Sequence, residues 1–296
     1  MDVFHNISEV DLQSSGRQTV VAFGSFDGLH QGHRMLLSRV LEISEAENLI
    51  PAVLTFENHP LSVLAPPYCP ELLMSPRRKL DVLEQLGMRL VVMPPFTREL
   101  SLMPAKQFLR EVLLERMQMR YIICGYDCRF GHKGLGDGQM LKSEGKRLGF
   151  GVEIFEARRS DGVVIGSSVI RELLALGQVD KAVDLLERPH ELRGIVIHGE
   201  ERGRTLGYPT ANLKFEDNYL VPANGVYAIW ADVGKRRFGG MINLGVRPTF
   251  GQLKFLPEAH LFEFNVMIYD EMIDIYFLSK LRDERKFQSP ADLMAQ

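Results

Sequence analysis

The sequence is poor in cysteine, with only Cys69, Cys124 and Cys128 among its 296 residues. Three thiols cannot build a disulfide framework, and no Cys/His cluster completes a four-ligand zinc site. We therefore expect these cysteines to be small buried side chains in a reducing compartment.

Long apolar runs are also missing, and none approaches the roughly 20 residues that a membrane span requires. The segment Met1–Ser15 is polar and acidic, unlike the basic start and apolar core of a signal peptide. These features predict a cytoplasmic protein without a membrane partner.

An excess of positive charge is absent as well. Lys and Arg number 35 against 38 Asp and Glu, so the formal net charge is −3. This balance argues against a nucleic-acid partner bound through a broad basic surface, although it allows small anions in a pocket. No Walker A sequence occurs either, which excludes the common phosphate-binding loop.

What is present is enough apolar sequence for two folded cores. Hydrophobic residues make up 45% of the chain, and its length corresponds to about two domains of roughly 150 residues each. This composition excludes a disordered, collagen-like or coiled-coil protein.

The first half alternates short apolar runs with segments of helical period, which predicts a doubly wound, Rossmann-like parallel sheet. The predicted strands are 19–23, 52–56, 89–93, 121–124 and 152–155. Two further helices are predicted between Ser168 and Glu187, with a break at Gly177. Ligands of such sheets bind at the carboxyl ends of the strands.

The pattern changes near Arg188. Six strand-like segments follow with Gly, Pro and Asn turns and no helices between them, which predicts an antiparallel β-barrel or sandwich. The segments are 192–198, 210–215, 226–233, 238–244, 259–266 and 272–278. A short helix is predicted from Ser289. We place the domain boundary at 187, giving domains 1–187 and 188–296.

The first candidate site is the stretch from Gly24 to His33, which joins a predicted strand to a predicted helix. Its glycines permit a tight turn, and Gly32 leaves the helix start open to a phosphate. His30 and His33 are about one helical turn apart, so both imidazoles can reach the same anion. The ligand-binding candidates in this stretch are Gly24, Phe26, Asp27 and Gly32.

Two further stretches fit the same phosphate site. Gly125 and Asp127 follow the fourth predicted strand. Ser167, Ser168 and Arg171 open a predicted helix, where hydroxyls and a guanidinium suit triphosphate oxygens. Helix capping by the serines and an Asx turn at Asp127 are the alternative interpretations.

The second candidate site is a glycine-rich loop that leads into the second predicted strand of the C-terminal half. Its glycines can fold backbone amides around phosphate. Thr210 and Asn212 project to one face if the segment is extended, and their oxygens suit Mg²⁺ shared with a nucleotide. The candidates in the loop itself are Gly203, Arg204 and Gly207.

The H-x-G-H pattern at His30 and His33 resembles the signature of the nucleotidyltransferase superfamily. The run Gly203–Leu213 closely resembles the signature of riboflavin kinases, and the blocks at 225–227, 243–249 and 281–287 resemble later parts of that family. In order and size, the two halves resemble the prokaryotic bifunctional riboflavin kinase/FMN adenylyltransferases.

This resemblance implies ATP-dependent phosphorylation of riboflavin to FMN, followed by transfer of AMP from ATP to FMN, giving FAD and pyrophosphate. It implies that Glu258 is the catalytic carboxylate of the kinase, with Glu263 as its nearest competitor, and that Arg282 contacts ligand. Mg²⁺ is the implied metal, held in the kinase by Thr210 and Asn212. In the other half, His30, His33 and Arg171 would stabilise the reacting phosphates. ATP, riboflavin and FMN are the expected small-molecule partners.

The first half departs from the family pattern at several positions, including Asn58, Gly166 and Cys128. These departures leave two alternatives open: a riboflavin kinase with a weakened adenylyltransferase domain, and a non-enzymatic flavin-sensing regulator. A nucleotidyltransferase with another acceptor is a more distant third.

Overall fold

The computed structural model describes residues 1–160, 163–198, 210–216, 218–249 and 252–285. Its contacts divide the chain into two compact units, Met1–Gly166 and Ser167–Gln296. The helices at Ser167–Ala175 and Val179–Leu186 thus belong to the second unit. The helix at Val179–Leu186 packs on two strands of that unit, His190–Ile197 and Met272–Arg282. The predicted boundary at 187 instead places both helices in the first domain. The division of the activities at 187 stays a prediction.

The first unit is built on a wholly parallel sheet, as predicted, but the sheet has six strands where five were predicted. The strands follow one another across the sheet in the order β1-β4-β3-β2-β5-β8. They are β1 (Asp2–Phe4), β2 (Thr19–Phe23), β3 (Ile50–Leu54), β4 (Leu90–Val92), β5 (Met119–Gly125) and β8 (Gly151–Phe155). Apolar cores cover both faces of the sheet, which explains why the central strands are continuous hydrophobic runs.

Helices and small hairpins complete this unit. The helices are α1 (Gln31–Glu47), α2 (Leu61–Leu64), α3 (Pro76–Gln85), α4 (Arg98–Leu102), α5 (Ala105–Gln107) and α6 (Gly138–Leu148), with a π-helical segment at Phe108–Arg116 and 3₁₀ turns at Ile7–Glu9, Pro66–Tyr68 and His132–Gly134. The hairpin strands are β6 (Arg129–Phe130), β7 (Gly136–Asp137), β9 (Arg159–Ser160) and β10 (Val163–Val164). No helix in the described part of the chain is long and apolar enough to cross a membrane.

The second unit begins with α7 (Ser167–Ala175) and α8 (Val179–Leu186), the two helices predicted around Gly177. A closed antiparallel barrel follows, in the order β11-β12-β17-β14-β13-β18. Its strands are β11 (His190–Ile197), β12 (Ala211–Phe215), β13 (Gly225–Val233), β14 (Arg236–Leu244), β17 (Glu258–Leu261) and β18 (Met272–Arg282). The prediction of six strands is confirmed, and the structure selects the barrel over the sandwich.

The barrel strands show the alternation that one apolar face requires. In β18, for example, Ile273, Ile275 and Phe277 are buried while the residues between them are more exposed. The fifth predicted strand is shorter than expected and ends at Leu261, where the ladder gives way to a turn. A separate hairpin of β15 (Val246–Thr249) and β16 (Gln252–Phe255) precedes it. The helix predicted from Ser289 lies outside the described residues.

Candidate functional site

The segment between β2 and α1 forms the first candidate site. His30 is the N-cap of α1 and has an extended backbone (φ −69°, ψ 174°), but its side chain makes no capping hydrogen bond. The amides of the first helical turn therefore receive no bond from this cap. A helix start at the carboxyl end of a parallel strand is the arrangement that binds phosphate.

The structure brings His30 and His33 together, as their spacing predicts. Their rings stack with centroids 3.8 Å apart and an interplanar angle of 21°. The ring of Phe26 meets His33 edge-on at 5.1 Å. His30 is only 6% exposed, so packing fixes the orientation of both imidazoles.

Gly32 has a steric reason to be glycine. A Cβ atom at this position would lie 3.2 Å from Cε1 and 3.3 Å from Nδ1 of His30. Both distances are tighter than ordinary van der Waals contact, so any larger residue would press on the imidazole. The space that Gly32 leaves at the helix start is therefore occupied by the His30 ring.

The loop itself is strained. Phe26 and Leu29 have positive φ angles of 49° and 43°, a region that L-residues rarely adopt. Both side chains are almost completely buried, so their packing offsets the strain. Strained backbone of this kind is concentrated at functional sites.

Asp27 has a structural role in this loop. Its side chain is buried, and Oδ1 accepts a hydrogen bond of 3.0 Å from the backbone amide of Leu73. It therefore joins the loop to the segment that precedes α3. Its predicted contact with ligand stays a prediction.

Lys79, which was not among the predicted site residues, is buried beside the same loop. Its ammonium donates to the carbonyl oxygens of Ser25 at 2.8 Å and Phe56 at 3.0 Å. Burial lowers its pKa to about 8, against the opposing field of Asp27. The sequence does hint at its burial, because Lys79 lies three and four residues before Val82 and Leu83, on the apolar face of the same helix.

The turn after β5 carries Gly125 and Asp127. A Cβ atom at Gly125 would lie 2.8 Å from Oδ1 of Asp127, so glycine leaves room for this carboxylate. Cys128 packs against the apolar core. Its hydrogen bond with Cys124 and its burial raise its pKa, which argues against a reactive thiolate. The expectation of packed rather than reactive cysteines agrees with this environment.

Asn58, a departure from the family pattern, is well accommodated. Its Nδ2 donates to Ser62 Oγ at 2.8 Å and to the Phe96 carbonyl at 3.2 Å. Its Oδ1 accepts from the Phe96 amide at 2.7 Å. These bonds fix the loop after β3 by a different means than a proline would.

Ser167 begins α7, and Ser168 and Arg171 lie in its first two turns. All three belong to the second compact unit. Their predicted contacts with the triphosphate stay predictions.

The second candidate site lies on the barrel, on the face opposite its apolar interior. Asn212 on β12 is the direct register partner of Glu258 on β17, and Glu258 is in turn the partner of Asn243 on β14. Directly opposed residues project to the same face with Cβ atoms about 5 Å apart. The three side chains therefore form one polar row.

This row extends across the next two strands. Asn243 pairs with Val226 on β13, and Val226 pairs with Arg282 on β18. Partial burial and the neighbouring charge of Arg285 lower the pKa of Arg282. The predicted residues Asn212, Glu258 and Arg282 are thus members of one row. Asn243 was not singled out as a site residue, although it begins the resemblance block 243–249.

Asn212 has the features of a metal ligand. Its side chain is 6% exposed, and Oδ1 is buried with no hydrogen-bond partner among the residues that the structure describes. Such an acceptor is costly unless something binds it. Thr210 is exposed and lies two residues away along the chain, and both residues line a cavity of about 340 Å³. The residues present therefore fit Mg²⁺, which binds oxygen ligands.

Glu263, the competitor for the catalytic role, lies in an exposed turn beyond the end of β17. It does not belong to the row that contains Asn212. Gly203, Arg204 and Gly207 lie outside the described residues, so their placement stays a prediction.

Comparison with known proteins agrees with these two units. A family model described as FAD synthetase matches residues 12–169, and one described as riboflavin kinase matches residues 186–296. The matches define a transferase with two flavin-related parts.

Named relatives cover almost the whole chain. Bifunctional riboflavin kinase/FMN adenylyltransferases from Haemophilus influenzae and Bacillus subtilis are 36% and 34% identical over 93% and 96% of this chain, and over 90% and 91% of their own. The enzyme of that name from Escherichia coli strain K12 is 33% identical over 99% of this chain and 92% of its own. The chain belongs to the family of bifunctional riboflavin kinase/FMN adenylyltransferases.

A solved structure described as a macrolide-efflux protein from Streptococcus pneumoniae has the same fold. Its TM-score is 0.88 at 29% identity, covering 99% of this chain and 94% of that chain. The likeness supports the architecture of both units.

Proposed function

We propose that this enzyme converts riboflavin to FMN in the barrel unit and FMN to FAD at the His30–His33 site, using ATP in both reactions. The observation that carries the proposal is the polar row on the barrel. There, a carboxylate directly faces a buried amide oxygen that has no hydrogen-bond partner in the described part of the chain.

In the kinase reaction, Glu258 serves as the general base. The nucleophile is the 5′-hydroxyl of the ribityl chain, which is neutral and weakly acidic, so removal of its proton accelerates attack. Asn212 and Thr210 would hold Mg²⁺ through their side-chain oxygens. When bound, Mg²⁺ would neutralise the β- and γ-phosphates of ATP. Arg282 supplies positive charge at the other end of the row.

Adenylyl transfer makes a different demand on the protein. The nucleophile is a phosphate oxygen of FMN that is already ionised at neutral pH, so no strong base is required. The first turn of α1 and the two imidazoles place and stabilise the α-phosphate of ATP as pyrophosphate leaves. Arg171 is proposed to neutralise the leaving group.

The structure favours this proposal over the first two alternatives. A kinase with a weakened second activity would retain no need for the strained, buried loop around His30 or the space that Gly32 leaves for its ring. A flavin sensor would need neither a metal-ligand pair nor a carboxylate beside it. We also propose a cytoplasmic location, where ATP is available and the three free thiols stay reduced.

Product chromatography tests the proposal directly. Incubation with riboflavin, ATP and Mg²⁺ should yield FMN first and then FAD. If riboflavin yields only FMN, and supplied FMN yields no FAD, the result would support the monofunctional kinase. Unchanged riboflavin would support the sensor.

A further inference from the structure

Lys79 is a buried cation whose hydrogen-bonding capacity is fully used. It is 5% exposed on α3, and its Nζ lies 2.8 Å from the Ser25 carbonyl, 3.0 Å from the Phe56 carbonyl and 3.4 Å from Thr55 Oγ1. A protonated amine has three donors, so each finds one oxygen here.

These three oxygens belong to two neighbouring loops at the carboxyl edge of the sheet. Ser25 lies in the loop that follows β2 and leads to His30. Thr55 and Phe56 follow β3, the adjacent parallel strand. Thr55 Oγ1 also donates to the Ser25 carbonyl at 2.9 Å. The ammonium therefore joins the loop that carries the imidazoles to its neighbour.

The charged surroundings of Lys79 are simple. Asp27, in the His30 loop, is the carboxylate whose field acts on the ammonium. Glu57, next to Phe56, is paired with His5 at 2.7 Å. Burial dominates, so the pKa of Lys79 falls to about 8. The side chain is therefore mostly charged at pH 7 and mostly neutral above pH 9.

We propose that Lys79 is a positioning residue for adenylyl transfer, whose ammonium holds the strained loop 24–30 in the shape that presents His30 and His33 to the nucleotide. This inference rests on the proposed function of that loop. Burying a charge is costly where an apolar side chain would pack. The strain at Phe26 and Leu29 gives the loop a reason to need this anchor.

Loss of the proton weakens the anchor. A neutral amine has two N–H donors instead of three, so one of the three contacts to Ser25, Thr55 and Phe56 loses its donor. A small displacement of catalytic groups can lower a rate by about 100-fold. Adenylyl transfer should therefore decline with rising pH near 8.

The test compares the pH profile of FAD formation from FMN, ATP and Mg²⁺ in the wild type, Lys79→Met and Val82→Ala. Val82 is a buried residue on the same helix, and its truncation perturbs the apolar core shared with Phe26 and Leu29 without removing any of the three hydrogen bonds of Lys79. We expect kcat/KM at pH 7 to fall about 10- to 100-fold in Lys79→Met, with the decline near pH 8 abolished. Val82→Ala should lower the Tm of the first unit but retain the decline.

Lys79→Arg supplies a rescue arm, because a guanidinium stays charged throughout this range. It should retain more activity than Lys79→Met and show no decline near pH 8. A decline that persists in Lys79→Met, or a rate in Lys79→Met equal to that of Val82→Ala, would overturn the proposal. A wild type that makes no FAD at all would instead overturn the proposed function.

Discussion

Asn212 and Glu258 face each other directly across the antiparallel pair β12–β17. Register places the amide and the carboxylate on one face of the barrel, although 46 positions of sequence separate residues 212 and 258. The proposed base and the proposed metal ligand of the kinase are therefore neighbours on adjacent strands. The predictions for the kinase follow from this pairing.

Removing the carboxylate should affect one activity only. Glu258→Gln preserves size and polarity but cannot accept the proton of the ribityl hydroxyl, so FMN formation should fall by about 10²- to 10⁴-fold. FAD formation from supplied FMN should be unchanged. The matched control is Glu263→Gln, which alters an exposed turn. Equal losses in the two variants would contradict the assignment.

Asn212 should set the metal requirement of the kinase. Asn212→Ala removes the buried oxygen, so half-maximal FMN formation should need a Mg²⁺ concentration on the order of tenfold higher or more. Titration of activity against Mg²⁺ measures this shift. The Mg²⁺ dependence of FAD formation from FMN should stay as in the wild type, and an unshifted kinase titration would argue against Asn212 as a ligand.

The histidine pair should control the other activity. His30→Ala or His33→Ala removes a hydrogen-bond donor from the reacting phosphates, so FAD formation should fall by about 10²-fold or more. FMN formation from riboflavin should be retained. His5→Ala is the control, because it removes an exposed histidine of the same unit. A His33→Ala variant with full FAD formation would refute this role.

His190 predicts how the second unit responds to acid. Its Nε2 donates to the Leu220 carbonyl at 2.8 Å, and burial lowers its pKa to about 4 from 6.5. The unfolded chain therefore binds this proton first as pH falls, and the folded unit should lose about 3 kcal/mol of unfolding free energy between pH 6.5 and 4.

Trp230, the single tryptophan, lies on β13 and reports unfolding of this unit. Urea titrations followed by its fluorescence should show the loss of stability in the wild type. His190→Gln has no titratable imidazole, so its pH dependence should be flatter over this range. Identical pH dependences in the two proteins would contradict the account.

The sequence predicts most of the fold because the hydrophobic patterns of the main strands and helices extend over several residues. The buried parallel strands are continuous apolar runs, and in the barrel strands buried residues alternate with more exposed ones. β1 escaped prediction because it has three residues and begins with Asp2, and its place is set by pairing with β4. The strands of the β15–β16 pair are similarly short, with four residues each.

The site is predicted less completely, for a physical reason. His30 and His33 are three residues apart in sequence, so helix geometry alone brings their side chains together. Asn243 and Lys79 have partners far away in the chain, at positions that no local sequence pattern reveals. Glu258 was reached only through family resemblance, since a lone strand glutamate has no distinctive signal.

Complementation between two inactive variants tests the central claim of two independent sites most directly. Neither Glu258→Gln nor the double variant His30→Ala/His33→Ala should convert riboflavin to FAD by itself. An equimolar mixture should do so, because FMN released by the histidine variant is adenylylated by the glutamate variant. A folded mixture that forms FMN but no FAD, or a single variant that loses both activities, would contradict the account.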